Sequence, residues 1–318
     1  MCTAITYRPK NFYFGRTLDA AEFYPAEVVI SPRGFDFGIS DIARAARPLI
    51  GAAIVIGGFP LYFDGMNDCG LCMAGLNFVG NARFFPRREG RVNLAQYQLI
   101  PYILSACGSA AEAKREFGRI NITPKRFAPD MPPAELHWLV ADKDCAFTAE
   151  CTEDGMHIYE NDIGVLTNNP PFSYHAHNLA NYMSLSAAEP QNLFGGPALR
   201  PYGAGFGAIG LPGDFSSSSR FVRAAFMRAN APAGLTGENA VSQFFHILGS
   251  VNVTRGACRT PSGDFYTQYS CCMDATEGVY YIATHACRSL TAVKLLQGEE
   301  GLIRYSVRRK ECILKLNF

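Results

Sequence analysis

The second residue of the chain is a cysteine. Removal of Met1, which a residue as small as Cys permits, would leave Cys2 with a thiol and a free α-amine. That amine ionises near about pH 7.7–8.0 and can take the thiol proton at neutral pH. This is the logic of an N-terminal nucleophile. Downstream, Arg16 and Asp19 stand three apart, after a strand-like Phe12-Tyr13-Phe14. A fixed cation beside a thiol stabilises thiolate, and a carboxylate beside an α-ammonium orients it. On this segment alone, a surface ion pair is the competing reading.

Other chemistry-bearing patterns carry less. Cys69-x-x-Cys72 is the single C-x-x-C, without the second pair a zinc site needs, and Cys72 alternates with Ala74 as in a strand, so no metal is expected. The six histidines form no H-E-x-x-H, and His175 and His177, two apart, do not share a helical face; they read as loop or helix-entry residues. A papain-like Cys–His pair has no local signature. Residues 205–210 (GFGAIG) match G-x-G-x-x-G, but Pro212-Gly213 follow at once, so no helix can start and a glycine-rich loop is expected. Neither G-x-x-x-x-G-K-[ST] nor G-x-S-x-G occurs.

The elements that must position these residues are strands and helices in segregated runs. Strands are expected over residues 2–7, 12–15, 26–30, 50–56 and 70–78. A helix over 94–106 follows, capped by Asn93 and weakened by Pro101. Ser109 and Glu112 form a capping box for the next, ending at Gly118. Strands return over 135–141, 145–151, 156–159 and 164–167, and helices over 178–185, 220–228 and 238–248. Strands over 265–272, 278–284 and 290–296 close the chain. Such segregation favours antiparallel sheets with helices packed outside, an α+β architecture, in one domain over residues 1–318.

With 48% hydrophobic and 18% charged residues, the chain is not disordered. Its 29 Lys and Arg against 28 Asp and Glu leave no basic excess for a nucleic-acid partner. The apolar run over 48–63 is shorter than a span of about 20 residues and carries Gly57-Gly58 and Pro60, so it reads as a strand and turn, and no membrane span is expected. The first ten residues, MCTAITYRPK, hold no signal-like apolar stretch, which points to the cytoplasm. Eleven cysteines, an odd count, fit reduced thiols. Cys107, Cys145, Cys151, Cys258, Cys271, Cys272, Cys287 and Cys312 are expected to act as small hydrophobes.

MCTAITY, FGRTLD, ISPRG (residues 30–34), MAGLNF (73–78), VLTNNPPF (165–172), NLANYMSLS (178–186) and GLPGDFSSSSRFVR (210–223), in that order, resemble the choloylglycine hydrolase family. The resemblance spans essentially the whole chain. It implies the four-layer αββα sandwich of N-terminal-nucleophile hydrolases and the amide hydrolysis of bile salt hydrolases and penicillin V acylases. Cys2 would be the nucleophile, Arg16 and Asp19 its tuning and orienting pair, Asn168 the oxyanion-side asparagine and Arg220 the arginine that closes the site. Asn77 stands where bile salt hydrolases usually carry Asn and penicillin V acylases Tyr. The expected substrates are glycine- or taurine-conjugated bile salts; no cofactor is implied, and a homo-oligomer, commonly a tetramer, is. Leu18, Phe23, Tyr62, Phe63 and Phe78 are candidates for an apolar pocket wall, with core packing as the competing reading. Gly203-Ala204-Gly205 would form a loop near the leaving amino acid. Two departures concern selectivity: Ala20-Ala21 where an aromatic often follows Leu-Asp, and Thr17 in place of the commoner Asn.

Overall fold

The computed structural model describes residues 1–40, 45–296 and 300–311. The chain opens with strands β1 (Cys2–Tyr7), β2 (Tyr13–Ala20), β3 (Glu27–Ser31), β4 (Leu49–Ile56), β5 (Phe59–Tyr62), β6 (Asp64–Asn67), β7 (Cys72–Asn77) and β8 (Val92–Ala95). Helices α1 (Leu99–Ala106) and α2 (Ala110–Phe117) follow. Next come β9 (Ile120–Thr123), β10 (Leu136–Ala141), β11 (Ala146–Thr152), β12 (Gly155–Glu160) and β13 (Val165–Leu166). Then come α3 (Phe172–Asn178), α4 (Ser217–Ala229) and α5 (Gly237–Gly249). The chain closes with β14 (Cys258–Thr260), β15 (Gly263–Asp274), β16 (Val279–Thr284), β17 (Cys287–Lys294) and β18 (Ile303–Ser306).

Two antiparallel sheets form the middle layers. The first runs β13-β1-β2-β15-β16-β17, with β14 on β15; the second runs β12-β11-β10-β7-β6-β4-β3-β18, with β5 on β4. Helices α4 and α5 pack on the outer face of the first sheet and α1 and α2 on that of the second, while β1 and β2 face β7 across the interior. This is the expected α+β, four-layer αββα sandwich. A strand covered on both faces is buried throughout instead of alternating with solvent. Every residue of β1 and β2 is buried for that reason. Gly15 makes the centre of β2 possible, because a Cβ there would lie 2.0 Å from the Cys271 carbonyl oxygen of β15 and 2.9 Å from the Phe244 ring of α5.

Three expectations about elements change. Residues 92–95 form a short strand paired in parallel with β9, not the start of a helix. Asn93 instead closes a loop by donating to the Arg88 and Arg91 carbonyls. Helix α1 therefore begins at Leu99, and Pro101 falls in its first turn, where a missing N–H breaks no bond. The helix placed over 178–185 lies earlier, as α3, with Pro171 just before it and a 3-10 turn, Leu179–Tyr182, after it; His175 and His177 sit inside α3. Strands β9 and β18 complete pairings that no local pattern announces. Ser109 caps α2 as expected, accepting from the Glu112 amide at 3.2 Å.

Candidate active site

In an antiparallel pair, residues directly opposite one another share a face. Cys2 pairs with Leu18, Thr3 with Thr17 and Ala4 with Arg16. Cys2, Leu18 and Arg16 therefore point between the sheets, and Thr3, Thr17 and Asp19 point toward the helices. The spacing of three that makes Arg16 and Asp19 look like partners in fact separates them across the sheet.

Between the sheets, the fully buried Arg16 guanidinium donates from Nη2 to Cys2 Sγ at 2.5 Å and from Nη1 to the Gly75 carbonyl of β7 at 2.6 Å. Burial opposes its charge, but the Cys2 thiol, Tyr269 and Asp64 outweigh that cost and hold its pKa above the ordinary arginine value. On the other face, Asp19 accepts from Thr267 Oγ1 at 2.6 Å and from Thr17 Oγ1 at 3.2 Å, and Thr17 Oγ1 accepts from the Thr3 amide at 3.2 Å. Asp19 is 1% exposed, so the surface ion pair is excluded. Thr17, expected to stand apart from the chemistry, is a direct partner of Asp19. The Met1 ammonium donates to the Asp19 main-chain carbonyl at 2.9 Å.

Arg220, in the first turn of α4, is also fully buried. It donates to the Cys2 carbonyl (2.5 Å), Thr3 Oγ1 (2.7 Å), Asn168 Oδ1 (2.8 Å) and the Phe215 carbonyl (3.0 Å). Burial pushes its pKa down, and Asp19 and then Cys2 oppose the shift. Asn168 Oδ1 also accepts from the Cys2 amide at 2.8 Å. Two donors at one oxygen fix the orientation of the Asn168 amide, and its Nδ2 donates to the Asn77 carbonyl at 2.8 Å. Asn77 ends β7 with an exposed side chain. Cys2, Arg16, Asp19, Asn77, Asn168 and Arg220 thus converge on one hydrogen-bonded assembly, at chain separations of up to 218 residues.

The expected pocket wall divides. Leu18 lies beside Cys2. Phe23 is 62% exposed, and the half-buried Phe63 packs edge-on against Tyr24 at 5.6 Å. Phe78 is a correction: it is completely buried and stacks on His137 at 4.4 Å, so it lines no pocket. Tyr62 is another, buried under the α1–α2 side and hydrogen-bonded to Ser31 at 2.8 Å. Gly203, Ala204 and Gly205 are exposed in a long irregular stretch, and among the described residues no hydrogen bond ties them to Cys2, Asn77 or Asn168. Gly205 has φ +86° and opens only a 3-10 turn, Phe206–Ala208, as the following Pro212 implies.

Several contributors are invisible to motif reading. Asp64 of β6 accepts from Tyr269 and Tyr280 hydroxyls of the other sheet at 2.6 Å each. Burial pushes its carboxyl pKa up, against the pull of Arg16 and the two tyrosines. Thr267 carries no local signal, and Ser217, inside the 210–223 motif but given no role there, accepts from the Asn168 amide at Oγ at 2.8 Å. A lone carboxylate between Phe63 and Gly65 in an apolar neighbourhood is the one clue the sequence offers. Burial pushes Cys72, Cys271 and Cys272 well up, Cys107 to about 12 and Cys151 to about 11. Cys145 and Cys258 are half-buried, Cys69 is exposed against Arg47, and Cys312 lies outside the described residues.

A cysteine held at the start of a central strand, inside two facing antiparallel sheets flanked by helices, defines the class of N-terminal-nucleophile hydrolase folds. The family model of linear amide C–N hydrolases, choloylglycine hydrolase family, matches residues 2–301. The chain belongs to that family. It is 43% identical to the bile salt hydrolase/transferase of Lactiplantibacillus plantarum, over 93% of this chain and 92% of that protein. It is 36% identical to the conjugated bile acid hydrolase of Lactobacillus gasseri, over 88% and 92%. Its fold superposes on the conjugated bile acid hydrolase of Clostridium perfringens with a TM-score of 0.91 at 30% identity, covering 100% of both chains. The penicillin V acylase of Agrobacterium tumefaciens shares the fold, with a TM-score of 0.76 at 18% identity over 98% and 94%.

Proposed function

We propose that this chain is a single-domain bile salt hydrolase, cleaving the amide bond between a bile acid and glycine or taurine. The observation that carries the reading is the buried Arg16–Cys2 contact, with Asn168 and Arg220 gathered on the same residue. Removal of Met1 turns the Cys2 amide nitrogen into an amine, which takes the thiol proton directly or through a water. Arg16 stabilises the negative charge on sulfur as it attacks the amide carbon. Asn77 and the free hydrogen of Asn168 Nδ2 donate to the developing oxyanion; one such donor is typically worth about 10²–10³ in turnover. The ammonium returns its proton to the leaving amino group, and water hydrolyses the thioester. Asp19 and Arg220 hold the nucleophile in place: Arg220 fixes the Cys2 carbonyl, and Asp19 anchors Thr17 beside Thr3.

The transfer named for the L. plantarum relative would follow here if an amine, not water, meets the thioester. A homo-oligomer, as tetramer, fits the stretch from Met183 to Ile209. None of residues 183–205 is buried, and Met183, Leu193, Phe194, Tyr202 and Ile209 are each at least 70% exposed. Exposed apolar side chains of this kind support an association surface if they form one patch. No helix among the described residues is long and apolar enough to cross a membrane, and the ten cysteines among the described residues, all unpaired, fit a reducing, cytoplasmic setting.

The test is release of glycine or taurine from conjugated bile salts, run beside penicillin V, with the N-terminus checked by mass spectrometry. Turnover of bile salts by the Met1-free chain alone is the expected result. Penicillin V as the better substrate would move the assignment within the family, and bile-acid binding without turnover would mark an inactive binding relative.

A further inference from the structure

Behind the asparagines of the site lies a buried pair that the reaction itself does not use. His137 of β10 is completely buried and Glu150 of β11 is 1% exposed. His137 Nδ1 and Glu150 Oε1 are 2.9 Å apart, and His137 Nε2 lies 2.9 Å from the Thr167 carbonyl. A carbonyl only accepts, so Nε2 carries a hydrogen and donates it. Glu150 Oε1 also accepts from the Phe172 amide at 2.9 Å. Thr167 and Phe172 bracket residues 168–171, so the pair grips both ends of the loop that carries Asn168. The face of the same imidazole stacks on Phe78, at 4.4 Å and 7°. Phe78 follows Asn77 directly. One ring thus touches the residue before Asn168 and the residue after Asn77, and the Asn168–Asn77 bond closes the circuit.

From this geometry we infer that His137 and Glu150 are positioning residues for the oxyanion side, setting the Asn77 and Asn168 segments relative to Cys2. The inference rests on the catalytic reading above. Neither residue hydrogen-bonds Cys2, Arg16, Asp19 or Arg220 among the described residues, so their influence on the sulfur is indirect. Burying a polar pair costs free energy unless its atoms are hydrogen-bonded. An apolar pair, however, could hold neither the Thr167 carbonyl nor the Phe172 amide. His175 adds a second grip, with Nε2 2.9 Å from the Asn168 carbonyl. Displacing a transition-state donor by about 1 Å costs on the order of 10²-fold in rate.

The experiment compares wild type, Glu150→Gln, His137→Gln and Phe78→Leu, all with Met1 removed. It measures hydrolysis of whichever acyl amide the wild type cleaves, bile salt conjugate or penicillin V, and the rate at which iodoacetamide labels Cys2. Alkylation needs the thiolate but no oxyanion donor, so the two rates should part. For Glu150→Gln and His137→Gln, kcat should fall roughly 10- to 100-fold with KM within about threefold, as expected when a contact made only in the transition state is lost. Cys2 labelling should stay within about twofold of wild type. Phe78→Leu leaves the His137–Glu150 pair intact and should show the same split on a smaller scale, so it decides the matter if the other variants do not fold. Unchanged kcat, a rise in KM alone, or parallel loss of hydrolysis and labelling would overturn the inference. A wild type that cleaves penicillin V and no bile salt would refute the substrate reading and leave this comparison intact.

Discussion

Two regions of the molecule are built on opposite principles. Around β1 and β2, Arg16, Asp19, Thr3, Thr17 and Arg220 are all buried and hydrogen-bonded, and they sit on adjacent strands or on the helix packed against them. From 183 to 205 the chain has no regular structure and no residue in the buried class. The first region can hold a sulfur in one geometry because packing and hydrogen bonds overdetermine it. The second is free to vary in sequence without disturbing the sheet, which is where selectivity and association are usually placed. On the proposed function, chemistry would belong to the first region and preference to the second, and each could be perturbed alone.

The largest effect should come from the buried region. Cys2→Ser should lower kcat by about 10³-fold or more while leaving the melting temperature within a few degrees, since an alkoxide is far harder to form than a thiolate. Full activity in a correctly processed Ser variant would remove sulfur from the mechanism. Arg220→Lys comes next: a lysine keeps the charge but replaces with a single nitrogen the planar fork that reaches the Cys2 carbonyl and Thr3 Oγ1 from Nη1 and Asn168 Oδ1 from Nη2. Turnover should fall about 10²-fold, and denaturant unfolding should show a loss of about 2 kcal/mol, because buried acceptors are left unpaired. Near-wild-type kinetics would mean that the three-way contact is dispensable.

The exposed region should yield smaller numbers. Its Gly203-Ala204-Gly205 stretch offers backbone donors and no extra cation for a sulfonate. We expect kcat/KM for glycocholate to exceed that for taurocholate by about threefold, a difference under about 1 kcal/mol. A clear taurine preference would shift attention to Ala20 and Ala21 at the end of β2. The smallest effect concerns Asp214, where the exposed stretch hands over to α4. Hydrogen bonds from Ser216 and then Ser219 hold its pKa at about 2. A depressed carboxyl stabilises the fold above its unfolded pKa of about 3.9, and the contribution disappears as the pH falls towards 2. Asp214→Ala should therefore cost about 0.5 kcal/mol at pH 6, given its exposure to solvent, and the gap from wild type should close between about pH 4 and pH 2. Chemical unfolding at several pH values reads this directly; a gap that widens on acidification would reverse the sign.

Much of the site is legible in the sequence. Cys2 announces itself by position, and Arg16, Asp19, Asn77, Asn168 and Arg220 by ordered motifs along the chain. Strands β1, β15 and β16 and the caps of α2 follow from pattern and turn chemistry, because those signals are local, whereas β2 is expected only over residues 12–15 and β14 not at all. Residues 92–95 are harder, because a short apolar stretch before a helix looks like its first turn until a partner strand, here β9, claims it. Phe78 and Tyr62 mislead for a related reason: an aromatic beside a motif can face a cavity or a core, and only the packing says which.

The types of residue gathered at the candidate site, their order and the α+β class follow from sequence, since these depend on composition, short-range spacing and capping. How those residues are deployed belongs to the tertiary structure. Strand alternation puts Arg16 and Asp19 on opposite faces of one sheet, although three residues apart they look like a pair. Contacts across as many as 218 residues bring Arg220 onto the Cys2 carbonyl. Asp64, His137, Glu150 and Thr267 carry no local pattern, and they matter only because two sheets closing on each other leave their polar atoms no water to bond, so each must find its partner in the fold.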